Sequence, residues 1–153
     1  MAAITEQQLD AYLSGETELK DLVDLDPDYL EQIKGRAQFF VDGGHTERAL
    51  IMLEMLEELD RKDPLPSLLA IDLLLGDGRS DDAEAKIDML QERHPNSPDV
   101  AVARAQLLVQ TGQLVGAAAL LEGVLAADPE ATTDAGQRAR ALAARAHDQF
   151  ESA

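Results

Sequence analysis

Three histidines, His45, His94 and His147, are the side chains best suited to bind a metal or move a proton near neutral pH, and they stand 49 and 53 residues apart. A helix-borne metal pair needs two ligands within one turn of each other, and no two of these histidines have that spacing. The carboxylates cluster as Asp24-Leu25-Asp26, Glu57-Glu58 and Asp81-Asp82. Such short runs read as solvated helix faces or caps rather than as paired catalytic acids. Gly43-Gly44 and Gly76-Asp77-Gly78 lack the Lys-Ser pair and the preceding strand that a phosphate-cradling loop requires, so they read as helix terminators. The chain has no cysteine, which removes a thiolate nucleophile, a disulfide framework and the usual zinc ligands. No nucleophile stands beside a recognisable base. The expectation is a non-enzymatic protein with no cofactor and no metal site.

Charge narrows the partners. Thirteen Lys and Arg against 30 Asp and Glu give a net charge of −17, which repels nucleic-acid backbones and anionic lipid surfaces. The five aromatic residues, Tyr12, Tyr29, Phe39, Phe40 and Phe150, are too scattered to stack bases. Residues 1–60 hold 15 acids and 4 bases, a net −11, which leaves −6 for the remainder. That excess serves solubility or attracts a basic partner. The longest nearly apolar stretch, Leu114 to Leu121, is far shorter than the roughly 20 residues that span a bilayer. No base precedes Lys20 and no apolar run follows the start, so neither a secretory signal nor membrane insertion is expected and the reading is a cytoplasmic protein.

The elements that position these residues follow from a repeat. Gly44, Gly78 and Gly112 recur every 34 residues; five residues after each stands Ala49, Ala83 or Ala117, then Leu53, Ile87 or Leu121, then Leu56, Leu90 or Val124. Pro27, Pro95 and Pro129 keep the same period, and only the junction near Arg61, with Pro64 and Pro66 displaced, breaks it. Gly ends the first helix of a pair, Ala lets the second approach closely, the aliphatic residues fill the seam, and Pro opens the next unit. The spacing predicts helices over 28–42, 46–60, 65–75, 80–93, 98–110 and 114–127, with caps at Asp63, Ser97 and Thr132 or Thr133. A last helix over 133–150 turns Ala135, Ala139, Leu142 and Ala146 inward and caps the array. Ahead of the repeats, Thr5 to Gln8 forms a capping box for a short helix through Leu9, Tyr12 and Leu13 that Gly15 ends, and a second short helix carries Leu19, Leu22, Val23 and Leu25. The organisation is therefore all-α: an N-terminal helical segment at 1–27, three helix pairs at 28–131 and a capping helix at 132–153.

The period, the Gly and Ala spacing and the closing prolines resemble the tetratricopeptide repeat. The opening is similar in order and spacing to a narrower group. Ala11-Tyr12-Leu13-Ser14-Gly15, the run Leu22 to Pro27, and Tyr29-Leu30-Glu31-Gln32-Ile33 leading to Ala37 and Gly44 resemble the class II translocator chaperones of bacterial type III secretion systems. That resemblance implies a cytoplasmic holdase that keeps a membrane-inserting translocator subunit soluble before export, and a homodimer through the N-terminal segment, where Ile4, Leu9, Tyr12 and Leu13 exceed what one short helix buries. Where that family offers aromatic residues to its groove, this chain has Lys34, Gln38 and Val41, which implies a different client segment.

In a solenoid of helix pairs the first helix of each pair lines the concave face. The matching positions are Glu31, Lys34, Gln38 and Val41 in the first unit, Leu65, Leu68, Asp72 and Leu75 in the second, and Asp99, Val102, Gln106 and Val109 in the third. The expected site is an apolar strip of Leu65, Leu68, Leu75, Val102 and Val109, with Gln38, Asp72 and Gln106 bonding the backbone of an extended client peptide; an apolar stripe at helical spacing is more often core. Of the cationic clamp that captures a terminal carboxylate only Lys34 is in place, with Leu69 and Ala103 at positions that need polar groups, so carboxylate capture is not expected. A scaffold joining two proteins of another assembly is the alternative, using the convex face and the acidic N-terminal third.

Overall fold

A computed structural model describes residues 3–153, which form nine helices and, among the described residues, no strand. They are α1 (Glu6–Leu13), α2 (Leu19–Leu22), α3 (Pro27–Asp42), α4 (Thr46–Leu59), α5 (Leu65–Gly76), α6 (Ser80–Arg93), α7 (Pro98–Gln110), α8 (Leu114–Ala127) and α9 (Asp134–Ser152). The repeat residues do what their types dictate. Gly44, Gly78 and Gly112 sit at φ of 70°, 74° and 77°, the left-handed region where a Cβ is strained, and each ends the turn between two helices. Ala49, Ala83 and Ala117 are fully buried on the second helix of each pair.

Close packing divides the chain within α5, into a first unit that ends at Leu73 and a second from Leu74 to Ala153. In the first unit α3 packs along α4, burying Ala37, Leu53, Leu56 and Ala70, with Leu30, Ile33, Val41 and Leu50 half-buried around them. The break in the repeat at Arg61 has a structural reason: the N-terminal segment is fastened there. The Glu18 carboxylate, 6% exposed, accepts a hydrogen bond from the Arg61 backbone N–H at 2.8 Å. Lys20 pairs with Asp60, and the Arg61 guanidinium lies 4.7 Å from the centre of the Tyr12 ring while donating to its hydroxyl at 2.5 Å. The displaced prolines then restart the chain, with Asp63 Oδ1 accepting from the Leu65 N–H at 3.0 Å.

In the second unit α7 packs against α6, α8 and α9, and α8 packs against α9. Its core joins Val102, Ala105 and Val109 of α7 to Ala117, Leu121 and Val124 of α8 and to Ala135, Ala139, Leu142 and Ala146 of α9. The inward face of the last helix is thus the one its sequence predicts. Its outer end is not wholly polar, however: Phe150 is 69% exposed. The loop before α9 is tightly built. Asp128 accepts from the backbone N–H groups of Thr132 and Thr133 at 2.9 and 3.0 Å and from their hydroxyls at 3.0 and 2.7 Å. Of the two threonines expected to cap α9, Thr133 does so, its Oγ1 accepting from the Gly136 N–H at 3.0 Å. No helix among the described residues is long and apolar enough to cross a membrane.

Candidate protein-binding site

The residues expected to line a groove separate into two groups. In the first unit Leu65 is 56% exposed, and with Lys34 and Gln38 it edges a cleft of about 80 Å³ whose wall includes Pro66 and Leu69. Lys34 Nζ is 3.0 Å from Glu31 Oε1, and Gln38 Nε2 donates to Asp42 Oδ1 at 2.7 Å. Both polar groups therefore have partners on their own helix. Val41 is half-buried against the α3–α4 core, and Asp72 is half-buried on α5.

The expected apolar strip is mostly packed rather than open. Leu68 is 9% exposed, Leu75 1%, Val102 1% and Val109 7%. Val102 and Val109 belong to the core that joins α7 to α8 and α9. For the two valines the cause is simple: α7 touches three helices, so it has little face to spare. Gln106 is half-buried and accepts from Arg138 Nη2 of α9 at 3.5 Å. Buried as they are, neither Leu68 nor Val102 could take a charge without disturbing the fold.

The larger concavity lies where no groove was expected. A cleft of about 360 Å³ runs between α8 and α9 in the second unit. Leu114, Val115, Ala118 and Leu125 line it from α8, and Ala143, Ala146 and Phe150 from α9. Val115 is 85% exposed. The sequence signal was present in the apolar run from Leu114 to Leu121, whose residues spread round the whole helix instead of keeping to one face.

The histidines do not converge. His45 stands edge-on to Phe40 with ring centres 6.1 Å apart, and His147 Nε2 lies 3.3 Å from Glu151 Oε1 at the rim of the α8–α9 cleft. The Nε2 of His94 is shut from solvent at the end of α6 with no hydrogen-bonding partner among the described residues. Among the described residues no three acidic or imidazole groups come together in a way that would hold a metal ion.

Two carboxylates outside both clefts are held ionised by hydrogen bonds. The Thr133 hydroxyl, followed by the backbone N–H groups of Thr132 and Thr133, holds the Asp128 carboxyl well below the usual carboxylate range. Burial pushes the Asp60 carboxyl up, but the hydrogen bond and charge of Lys20 with the backbone N–H groups of Lys62 and Asp63 outweigh it, so its pKa falls. The same hydrogen bond raises Lys20.

No family model and no curated protein matches the chain. Solved structures do. A chain of a T3SS complex from Aeromonas hydrophila has the same fold, with a TM-score of 0.72 and 24% identity over 96% of this chain and 95% of that one. The Yersinia enterocolitica type III secretion translocator chaperone SycD matches with a TM-score of 0.70 and 22% identity, over 90% of this chain and 98% of its own. The fold is shared from end to end.

Proposed function

We propose that the chain is a tetratricopeptide-type chaperone of a type III secretion apparatus, a non-enzymatic cytoplasmic protein that holds an export client through an extended segment. The observation that carries this reading is the likeness to SycD over 90% of this chain and 98% of that one. The opening residues Ala11 to Gly15 and Tyr29 to Ile33, similar in order to that group, point the same way. In the first unit the client segment lies along α3 and α5, where Leu65 supplies the exposed apolar contact and Lys34 and Gln38 the polar ones. Val41 and Asp72 border that surface. On the second unit Gln106 offers the corresponding amide. Leu68, Leu75, Val102 and Val109 act from beneath, by holding the helices that carry the contact residues.

The test is recovery of the tagged full chain from its native cells, with the bound proteins identified by mass spectrometry. The expected partner is a secreted protein with apolar helices that precipitates when expressed alone and stays soluble when co-expressed with the chain. Partners without any export substrate would sink the reading. Binding to the α3–α5 surface should weaken in Leu65→Asp and change little with salt, because the contact is apolar. If binding instead fades as salt rises and ignores Leu65→Asp, the acidic surface is the site and the scaffold reading replaces the chaperone.

A further inference from the structure

We propose that the flank of α3 turned away from the α3–α5 cleft docks an acidic segment of a partner protein, one that carries carboxylates beside apolar side chains. The surface is built from Arg36, Arg48 and the rings of Tyr29, Phe39 and Phe40, all within the first unit. It is separate from the cleft and does not rest on the chaperone reading: Lys34 and Arg36 stand two residues apart, and so about 160° apart round the helix. The starting point is an anomaly of charge. Residues 1–60 hold 15 acids and four bases, Lys20, Lys34, Arg36 and Arg48. Lys20 pairs with Asp60 and Lys34 with Glu31, whereas neither arginine has an ion pair among the described residues. The sequence shows why. Lys34, Arg61 and Arg79 each find an acid three residues away. Three and four residues either side, Arg36 has Gln32, Ile33, Phe39 and Phe40, and Arg48 has Gly44, His45, Ile51 and Met52. In an acid-rich stretch, neither is given a carboxylate at helical spacing.

Both guanidiniums flank one ring. That of Arg48, on α4, lies 5.9 Å from the centre of Phe40, and Arg36 precedes Phe40 by one turn of α3. Phe39 stands edge-on to Phe40 with ring centres 5.8 Å apart and is 67% exposed. Tyr29, 56% exposed, continues the stripe seven residues before Arg36. Large rings left in water beside unpaired guanidiniums specify the partner. Each arginine presents a fork of donors that matches a carboxylate, and the rings gain by taking apolar side chains out of water. A nucleic-acid duplex or an anionic membrane does not fit, because the net −11 of the same 60 residues repels a ligand whose charge extends beyond the patch. A small inorganic anion would engage the arginines and leave the rings exposed. A short peptide segment with one or two carboxylates next to aliphatic or aromatic side chains uses both.

Photochemical crosslinking in the native cells tests this, with Phe39→p-benzoylphenylalanine and, separately, Tyr29→p-benzoylphenylalanine in the full chain. Irradiation should join the chain to another protein through a segment that mass spectrometry maps to carboxylates beside apolar residues. A synthetic peptide of that segment should bind the wild-type chain and lose at least about fivefold in affinity in Arg36→Gln and in Arg48→Gln. Rising salt should weaken it, and so should changing the peptide's Glu and Asp to Gln and Asn. Circular dichroism of the arginine variants should match wild type, since both side chains are exposed. Leu65→Asp should leave the peptide's affinity unchanged; a loss there would place the segment in the α3–α5 cleft and overturn the inference. No crosslink from either position, a crosslink only to a second copy of this chain, a segment without carboxylates, or binding indifferent to both arginines would overturn it as well. The two readings fail separately, because Leu65→Asp probes the cleft and the arginine variants probe this face.

Discussion

Gly136 shows how much a single hydrogen atom decides here. A Cβ at this position would lie 2.0 Å from Asp128 Oδ2 and 3.0 Å from the Ala131 Cα, so the carboxylate would have to leave and the backbone to shift. Gly136→Ala should therefore destabilise the second unit by about 1–3 kcal/mol, read as a lower melting temperature, despite the better helix propensity of alanine. An unchanged melt would show that the loop relaxes freely. The depressed pKa of Asp128 gives the matching pH dependence. A carboxyl held below its unfolded value contributes stability above that value and loses it as pH falls through the folded one. Asp60 acts in the same direction. Lys20, raised by the same bridge, contributes below its unfolded value and loses that contribution as pH rises through its folded one, so the Lys20–Asp60 pair serves between the two limits. The gap in denaturant midpoint between wild type and Asp128→Asn should narrow from neutral pH to about pH 3, where the unfolded carboxyl takes up a proton that the folded one still refuses. Equal differences at both pH values would contradict this. Val102→Asp, at a site 1% exposed, places a charge in the core and should cost several kcal/mol, a loss of fold rather than a selective loss of binding.

At the scale of elements, Ala83 and Ala117 carry the clearest test, because each is fully buried where two helices cross. Phenylalanine at either position should cost about 1–3 kcal/mol or more by overpacking, and wild-type melting in both variants would show that the contacts are loose. These positions were legible because a 34-residue period repeats each constraint three times. Gly78 needs a left-handed turn for the same reason as Gly44, so the helix ends from Pro27 to Ala127 are readable to within a residue or two. The candidate groove was less legible. Helical periodicity tells which face is apolar but not how many neighbours a helix has, and α7, with three, buries the valines that a two-neighbour helix would leave open. The α8–α9 cleft escaped because Val115 and Leu125 add apolar surface to a helix already apolar within, which blurs its period. The fastening of the N-terminal segment to Arg61 joins residues more than 40 apart, and no local pattern announces it.

For the whole molecule, charge opposes any pairing of two copies through the N-terminal segment. Ile4, Leu9 and Leu13 are 48%, 45% and 70% exposed, while Tyr12 is taken up by Arg61, so the apolar face expected to pair two copies consists of three residues rather than four. That face lies in a stretch whose first 60 residues carry a net −11, and two copies joined through it bring like charges together. Burial of the aliphatic side chains favours the pair at about 25 cal/mol per Å² removed from water, and repulsion opposes it over distances comparable to the Debye length, about 10 Å at 0.1 M salt. Salt weakens only the second effect. A dimer through this segment should therefore tighten as ionic strength rises, the reverse of an association held by ion pairs. Sedimentation across a salt series is the measurement, with Leu13→Asp as the control, because a residue 70% exposed can be changed without unfolding the helix it stands on. A dimer that loosens with salt would place the contact elsewhere, and a monomer under every condition, or a dimer indifferent to Leu13→Asp, would end the claim that this segment pairs two copies.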